Sequence, residues 1–61
     1  MPVITVECSR ITKETKEKLI VELTAKASEV LKISPKAFTI VIHDNNPDNI
    51  GAGGRPLTEI L

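Results

Sequence analysis

One long amphipathic stretch lies between two short apolar runs, Val3-Ile4-Thr5-Val6 and Phe38-Thr39-Ile40-Val41-Ile42, and this order leaves few folds open. Leu19, Ile20, Leu23, Ala27, Val30 and Leu31 recur at spacings of three and four. Thr12 to Lys32 therefore reads as a helix with one apolar stripe. Thr12 is the expected N-cap, its hydroxyl free to accept a backbone N–H. Glu14 and Glu17 lie near the helix start, where negative charge suits the helix dipole. Glu14–Lys18 and Glu22–Lys26 are expected as ion pairs on the solvated side, each worth only tenths of a kcal/mol.

The flanking runs alternate with period two. Residues 2–8 read as a strand with Ile4, Val6 and Cys8 on one face and Val3, Thr5 and Glu7 on the other. Ser34-Pro35 reads as a second cap followed by one short turn. Phe38 to His43 is the second strand, with Phe38, Ile40 and Ile42 on one face and Thr39, Val41 and His43 on the other. Strand, long helix and strand make a β-α-β unit, so the two strands should run parallel with a right-handed crossover. Asp44 to Asn49 is a turn-rich loop. Ile50-Gly51-Ala52-Gly53-Gly54-Arg55-Pro56 follows as a small hairpin or an arm, with Leu57, Ile60 and Leu61 available to dock. The expected class is α+β: a parallel two-stranded sheet, one long helix and a C-terminal hairpin.

With 61 residues the chain is a single domain, and domains this short need a staple or a partner. The lone cysteine, Cys8, allows no intrachain disulfide. One helix covers one face of a two-stranded sheet, which leaves Val3, Thr5, Thr39 and Val41 for another chain to cover. Two strands are also too few for an independent sheet. Both arguments point to a homo-oligomer. Eight basic and eight acidic residues give no net charge, which argues against nucleic acid or an anionic membrane as partner. Phe38 is the one aromatic residue, so no stacking platform for bases can be built. No apolar run reaches the length of a membrane span, and no signal-peptide pattern opens the chain, so a cytoplasmic location is expected.

The candidate chemistry begins at Met1-Pro2. Removal of Met1 would leave Pro2 with a free secondary amine, a usable proton carrier, at the start of an apolar strand; the bland alternative is a common way to begin a protein. Burial in an apolar pocket, or a nearby guanidinium, would lower the amine pKa toward working pH. Arg10, just beyond the strand, is either a fork for a substrate carboxylate or a solvated loop arginine. Arg55, after the glycines, has the same two readings. Thr39 offers a hydroxyl or is only a strand former. His43-Asp44 lacks a third ligand at a sensible spacing, so no metal is expected. Cys8 reads as a small core residue. Gly51-Ala52-Gly53-Gly54 does not join a first strand to a helix and so is a turn, not a dinucleotide motif.

Taken together, Met1-Pro2 opening a strand, the helix start Thr12-Lys13-Glu14-Thr15-Lys16-Glu17-Lys18-Leu19-Ile20, a second strand ending at Ile42, and Ile50-Gly51-Ala52-Gly53-Gly54 resemble the 4-oxalocrotonate tautomerase family over nearly the whole chain. The resemblance implies β-α-β protomers paired into dimers with a four-stranded sheet and assembled as a trimer of dimers, a hexamer. It implies an amino-terminal proline acting as general base with no metal and no organic cofactor. The proline moves a proton between the 2-hydroxyl oxygen of a dienol acid and a distal carbon, as from 2-hydroxymuconate to 2-oxo-3-hexenedioate. By this resemblance Pro2 would take that role here. Arg10 is the nearest match to the family's loop arginine, although the loop is one residue shorter and the register could place Ile11 there. A second family arginine falls on Thr39, and the family's aromatic pocket residue falls on Ile50. The lost arginine puts a dicarboxylate substrate in doubt; Arg55 is the candidate to compensate, from the same or a neighbouring chain. A different substrate, monocarboxylate or halogenated, and a non-catalytic oligomeric binding module of the same fold are the alternatives.

Overall fold

The computed structural model describes residues 1–60 and is α+β. Strand β1 is Val3–Ser9 and strand β2 is Thr39–Asn45. They pair in parallel, from Val3 opposite Thr39 to Ser9 opposite Asn45. Helix α1, Lys13–Leu31, connects them. The second strand starts and ends later than the apolar pattern suggests. Phe38 uses its N–H to close a 3₁₀ turn onto the Pro35 carbonyl (3.2 Å), so it stands outside the ladder. Asp44 and Asn45, expected in a loop, belong to the strand because Cys8 and Ser9 pair with them.

Local chemistry sets the ends of α1. The Thr12 hydroxyl accepts from the Thr15 N–H at 3.1 Å, as its type and position predict. At the other end Lys32 adopts a left-handed conformation (φ 57°, ψ 42°) and donates its N–H to the Ser28 carbonyl. Ser34 then caps the 3₁₀ turn Pro35–Ala37 by accepting from the Lys36 N–H. The surface ion pairs differ from expectation: Lys13–Glu17, Lys18–Glu22 and Lys26–Glu29 form, rather than Glu14–Lys18 and Glu22–Lys26. Lys18 and Lys26 each have an acid within a turn on either side, and the choices differ by only tenths of a kcal/mol.

Lys16 of α1 reaches Asp44 at 2.7 Å, which identifies the face of β2 that the helix covers. Ile40 and Ile42 share that face and are half-buried, as are Ile4, Val6 and Cys8 of β1. From α1, Leu19, Leu23, Thr24, Ala27 and Ser28 are half-buried with Lys16. Ile20, Val30 and Leu31, expected in the same stripe, stay exposed, Val30 at 67%. Two strands are too narrow a platform for the whole stripe. The opposite sheet face is open, with Val3 56% and Val41 37% exposed.

No side chain among the described residues is fully buried. The chain exposes 4661 Å², against roughly 3,900 Å² for a folded monomer of its mass. Its radius of gyration is 14.4 Å, where roughly 10.5 Å would suit a compact chain of this length. A single protomer therefore has one half-covered core layer and a free apolar face.

Beyond β2 a second 3₁₀ turn, Pro47–Asn49, is capped by Asn46, whose side chain accepts from the Asp48 N–H at 3.0 Å. Strand β3, Gly51–Ala52, then pairs antiparallel with β4, Arg55–Pro56. Gly53 and Gly54 between them have φ of 60° and 80°, the positive pair that a two-residue type I′ hairpin requires. The short helix α2, Leu57–Ile60, follows, and the Leu57 N–H closes the base of the hairpin on the Ile50 carbonyl at 2.7 Å. Leu57 is half-buried; the side chains of Ile60 and Leu61, also expected to dock, lie outside the described residues.

Candidate active site

Pro2 stands at the N-terminal end of the sheet. Its side chain is half-buried, and its carbonyl accepts the Thr39 N–H at 3.1 Å. This bond ties the backbone ahead of β1 to the first residue of β2. Met1 is 93% exposed, and while it is attached the Pro2 nitrogen is an amide that carries no proton. Thr39 is brought beside Pro2 by the parallel register, with its side chain exposed on the open face.

Arg10 is not in this group. It lies just past the other end of β1, eight residues on, so roughly 25 Å from Pro2 at about 3.3 Å per strand residue. Its charge instead lies near Asp44. The Lys16 hydrogen bond holds the Asp44 carboxyl below its ordinary value, helped by the Lys16 charge, a backbone bond from Ile11 and the Arg10 charge.

Ile50 and Arg55 are brought together in an open cleft of about 380 Å³ in the hairpin region, lined also by Asp48, Asn49, Gly51, Gly54 and Pro56. The cleft follows the C-terminal end of β2, the end opposite Pro2. Ile50 gives it an apolar wall, Arg55 a cation and Asp48 a carboxylate. Asp48 was not singled out from the sequence, where it reads as an ordinary turn residue; its capped 3₁₀ turn is what places it in the cleft. Another depression, about 220 Å³, lies on α1 between Thr15, Lys18, Leu19 and Glu22 and holds no expected site residue.

A polar cluster across the strands also escaped the sequence reading. His43 Nδ1 pairs with Glu7 Oε2, and Asn45 donates to Glu7 Oε1 at 3.0 Å. The Asn45 bond, then the His43 bond, holds the Glu7 carboxyl below its ordinary value. Glu7 and His43 are opposite each other in the parallel register, so the pairing follows from topology rather than from spacing along the chain.

The expected site residues thus fall into two groups. Pro2 and Thr39 stand at one end of the sheet; Arg10, Ile50 and Arg55 belong to the other. A family model described as tautomerase enzyme matches residues 2–60. The chain belongs to the tautomerase family. Solved structures agree with this membership. The crystal structure of apo unfused 4-OT superposes on this tautomerase with a TM-score of 0.91 at 30% identity, covering 97% of this chain and 98% of that one. TomN, a 4-oxalocrotonate tautomerase homologue in the tomaymycin biosynthetic pathway, gives a TM-score of 0.90 at 27% identity, covering 95% and 91%. DmpI from Archaeoglobus fulgidus gives 0.86 at 30% identity, covering 93% and 98%. No curated protein sequence matches. Family membership makes this tautomerase an isomerase-type enzyme.

Proposed function

We propose that the protein interconverts the enol or dienol and keto forms of 2-oxo acids, without a cofactor, using the Pro2 nitrogen as general base once Met1 is removed. The observation that carries this reading is Pro2 itself. It opens β1 half-buried and tethered to Thr39, in a chain whose family match starts at that residue. The neutral amine takes the proton of the 2-hydroxyl; the O–H electron pair becomes the carbonyl, the double bond shifts, and the carbon at the far end receives the proton from the amine.

An α-amino group has a reference pKa of about 7.7–8.0, and a secondary amine is more basic, so Pro2 in water would be mostly protonated at neutrality. Covering it with apolar surface, or bringing a guanidinium near, disfavours the ammonium form and makes the base available. The separation of the two residue groups supports a site shared between chains. A two-fold pairing that lays the strands of two protomers antiparallel carries the C-terminal end of one sheet, with its Arg10 and hairpin cleft, to the Pro2 end of the other. The uncovered Val3 and Val41, and the exposed Val30, are apolar surface for such self-association, with a dimer as unit and a hexamer as the assembly.

The test is the rate of ketonisation of 2-hydroxymuconate by protein shown by intact mass to lack Met1. Replacing Pro2 with Ala should lower kcat by about 10²–10⁴-fold, the usual contribution of a positioned base. An unchanged rate would refute the assignment.

A further inference from the structure

We infer that Lys16 is a positioning residue for Arg10: by holding the Asp44 carboxylate, it leaves the Arg10 guanidinium open for a substrate carboxylate. The role rests on the reading of Pro2 as base and of Arg10 as a carboxylate anchor brought to it by a neighbouring chain.

Asp44 lies within reach of two cations. Lys16, in the first turn of α1, holds it at 2.7 Å. Arg10 is the second. It follows Cys8 by two residues, and Cys8 is the partner of Asp44 across the ladder. Arg10 and Asp44 are therefore diagonal neighbours at roughly 7–8 Å, a gap that long side chains cross. The Arg10 charge acts on the Asp44 carboxyl, behind the larger effect of the Lys16 bond. Arg10 is exposed and makes no ion pair among the described residues. Lys16 has the carboxylate, and Arg10 keeps its fork of donors for a ligand.

The Lys16 and Asp44 side chains are 37% and 28% exposed, whereas both members of every other ion pair among the described residues are more than half exposed. Partial burial strengthens the pair relative to those on the open surface. Backbone fixes both of its ends. Asp44 is in the ladder, next to Asn45, whose side chain donates to the Cys8 carbonyl at 3.2 Å. The Lys16 N–H closes the first turn of α1 on the Thr12 carbonyl at 3.0 Å. The pair thus straddles the short connection, residues 10–12, that carries Arg10 from β1 to α1. Without the Lys16 ammonium, Asp44 would be a half-buried carboxylate with Arg10 as the cation left to pair it. A guanidinium grips a carboxylate with two parallel bonds, so Arg10 would turn onto Asp44 and be lost to the substrate.

The experiment measures ketonisation of 2-hydroxymuconate by full-length protein lacking Met1. Lys16→Met keeps the apolar stem and removes the ammonium. It should raise KM about tenfold and change kcat by less than about twofold, the pattern of a lost binding contact. Lys16→Arg should keep the wild-type KM. Adding Asp44→Asn to Lys16→Met removes the competing acid and should bring KM most of the way back; a merely structural lysine gives the opposite order, since the double variant loses more of the bridge. In an Arg10→Gln background Lys16→Met should leave KM where it is, whereas a direct pull of Lys16 on the substrate would persist there. Lys16→Gln carries the same comparisons should Lys16→Met not fold. A KM that neither Lys16 variant raises, a rise that Asp44→Asn does not relieve, or an equal rise without Arg10 overturns the role of Lys16. Two single variants separate this failure from others. Turnover that survives Pro2→Ala overturns the base assignment, and a KM that Arg10→Gln does not raise overturns the anchor and the role of Lys16 with it.

Discussion

Pro2 and Arg10 stand at opposite ends of one strand, with the seven residues of β1 between them. No rotamer of an arginine spans that gap, so a site that uses both must draw them from different chains. Complementation tests this. Pro2→Ala and Arg10→Gln proteins, each impaired alone, should regain activity when unfolded together in equal amounts and refolded. Random mixing of a site built by two chains restores about a quarter of the sites. A mixture no more active than the sum of its parts would show that Arg10 has no part in the site that Pro2 serves.

Val41 tests the surface that holds such chains together. It lies on the open face with Val3, and no described side chain of the protomer is fully buried. Val41→Lys puts a charge where an apolar contact is expected, so light scattering should show a smaller species, with a lower melting temperature and lower activity. The wild-type melting temperature should itself rise with protein concentration. Wild-type mass in the variant, or melting independent of concentration, would place the contact elsewhere.

The β-α-β order was legible because periods of two and of 3.6 residues are properties of the local sequence. The caps at Thr12 and Ser34 were legible for the same reason. The nearness of Pro2 and Thr39 follows once the strands are known to be parallel. What escaped depends on distant surfaces. The stripe from Leu19 to Leu31 is broader than two strands can cover, so Ile20, Val30 and Leu31 look like core in the sequence and are exposed in the protomer. Asp48 enters the cleft only because a capped 3₁₀ turn and a Gly53-Gly54 turn return Arg55 toward it, and no spacing along the chain signals that. The Glu7–His43 pair likewise depends on register between strands.

Two carboxyls should make the fold acid-sensitive. Glu7 and Asp44 have ordinary values of 4.5 and 3.8, and both are lower in the folded chain, Glu7 through Asn45 and His43, Asp44 through Lys16. A carboxyl whose pKa is lowered on folding stabilises the fold fully above its unfolded value and loses that contribution as pH falls through its folded value. The urea midpoint should therefore decline on going from pH 6 toward pH 2. Asp44→Asn should lower the midpoint at pH 6 and flatten the decline. Glu7→Gln should do the same to a smaller extent, since the Glu7 and His43 side chains are both exposed. A decline of the same steepness in both variants would assign the acid sensitivity to other groups.

Lys32 offers a stabilising change away from the site. It is the one non-glycine residue with positive φ among those described, and it ends α1 in a left-handed conformation that glycine adopts without a Cβ clash. For other residues that conformation costs about 1–2 kcal/mol, part of which glycine gives back through its freer unfolded chain. Lys32→Gly should therefore stabilise the fold by about 0.5–1 kcal/mol, or roughly 2–8 °C in Tm for a domain of this size. The N–H bond to Ser28 is kept, and turnover of 2-hydroxymuconate should be unchanged. Thermal melting of Lys32→Gly beside Lys32→Ala, which retains the Cβ, isolates the backbone effect: equal Tm values in the two variants would mean that the left-handed conformation at position 32 carries no strain.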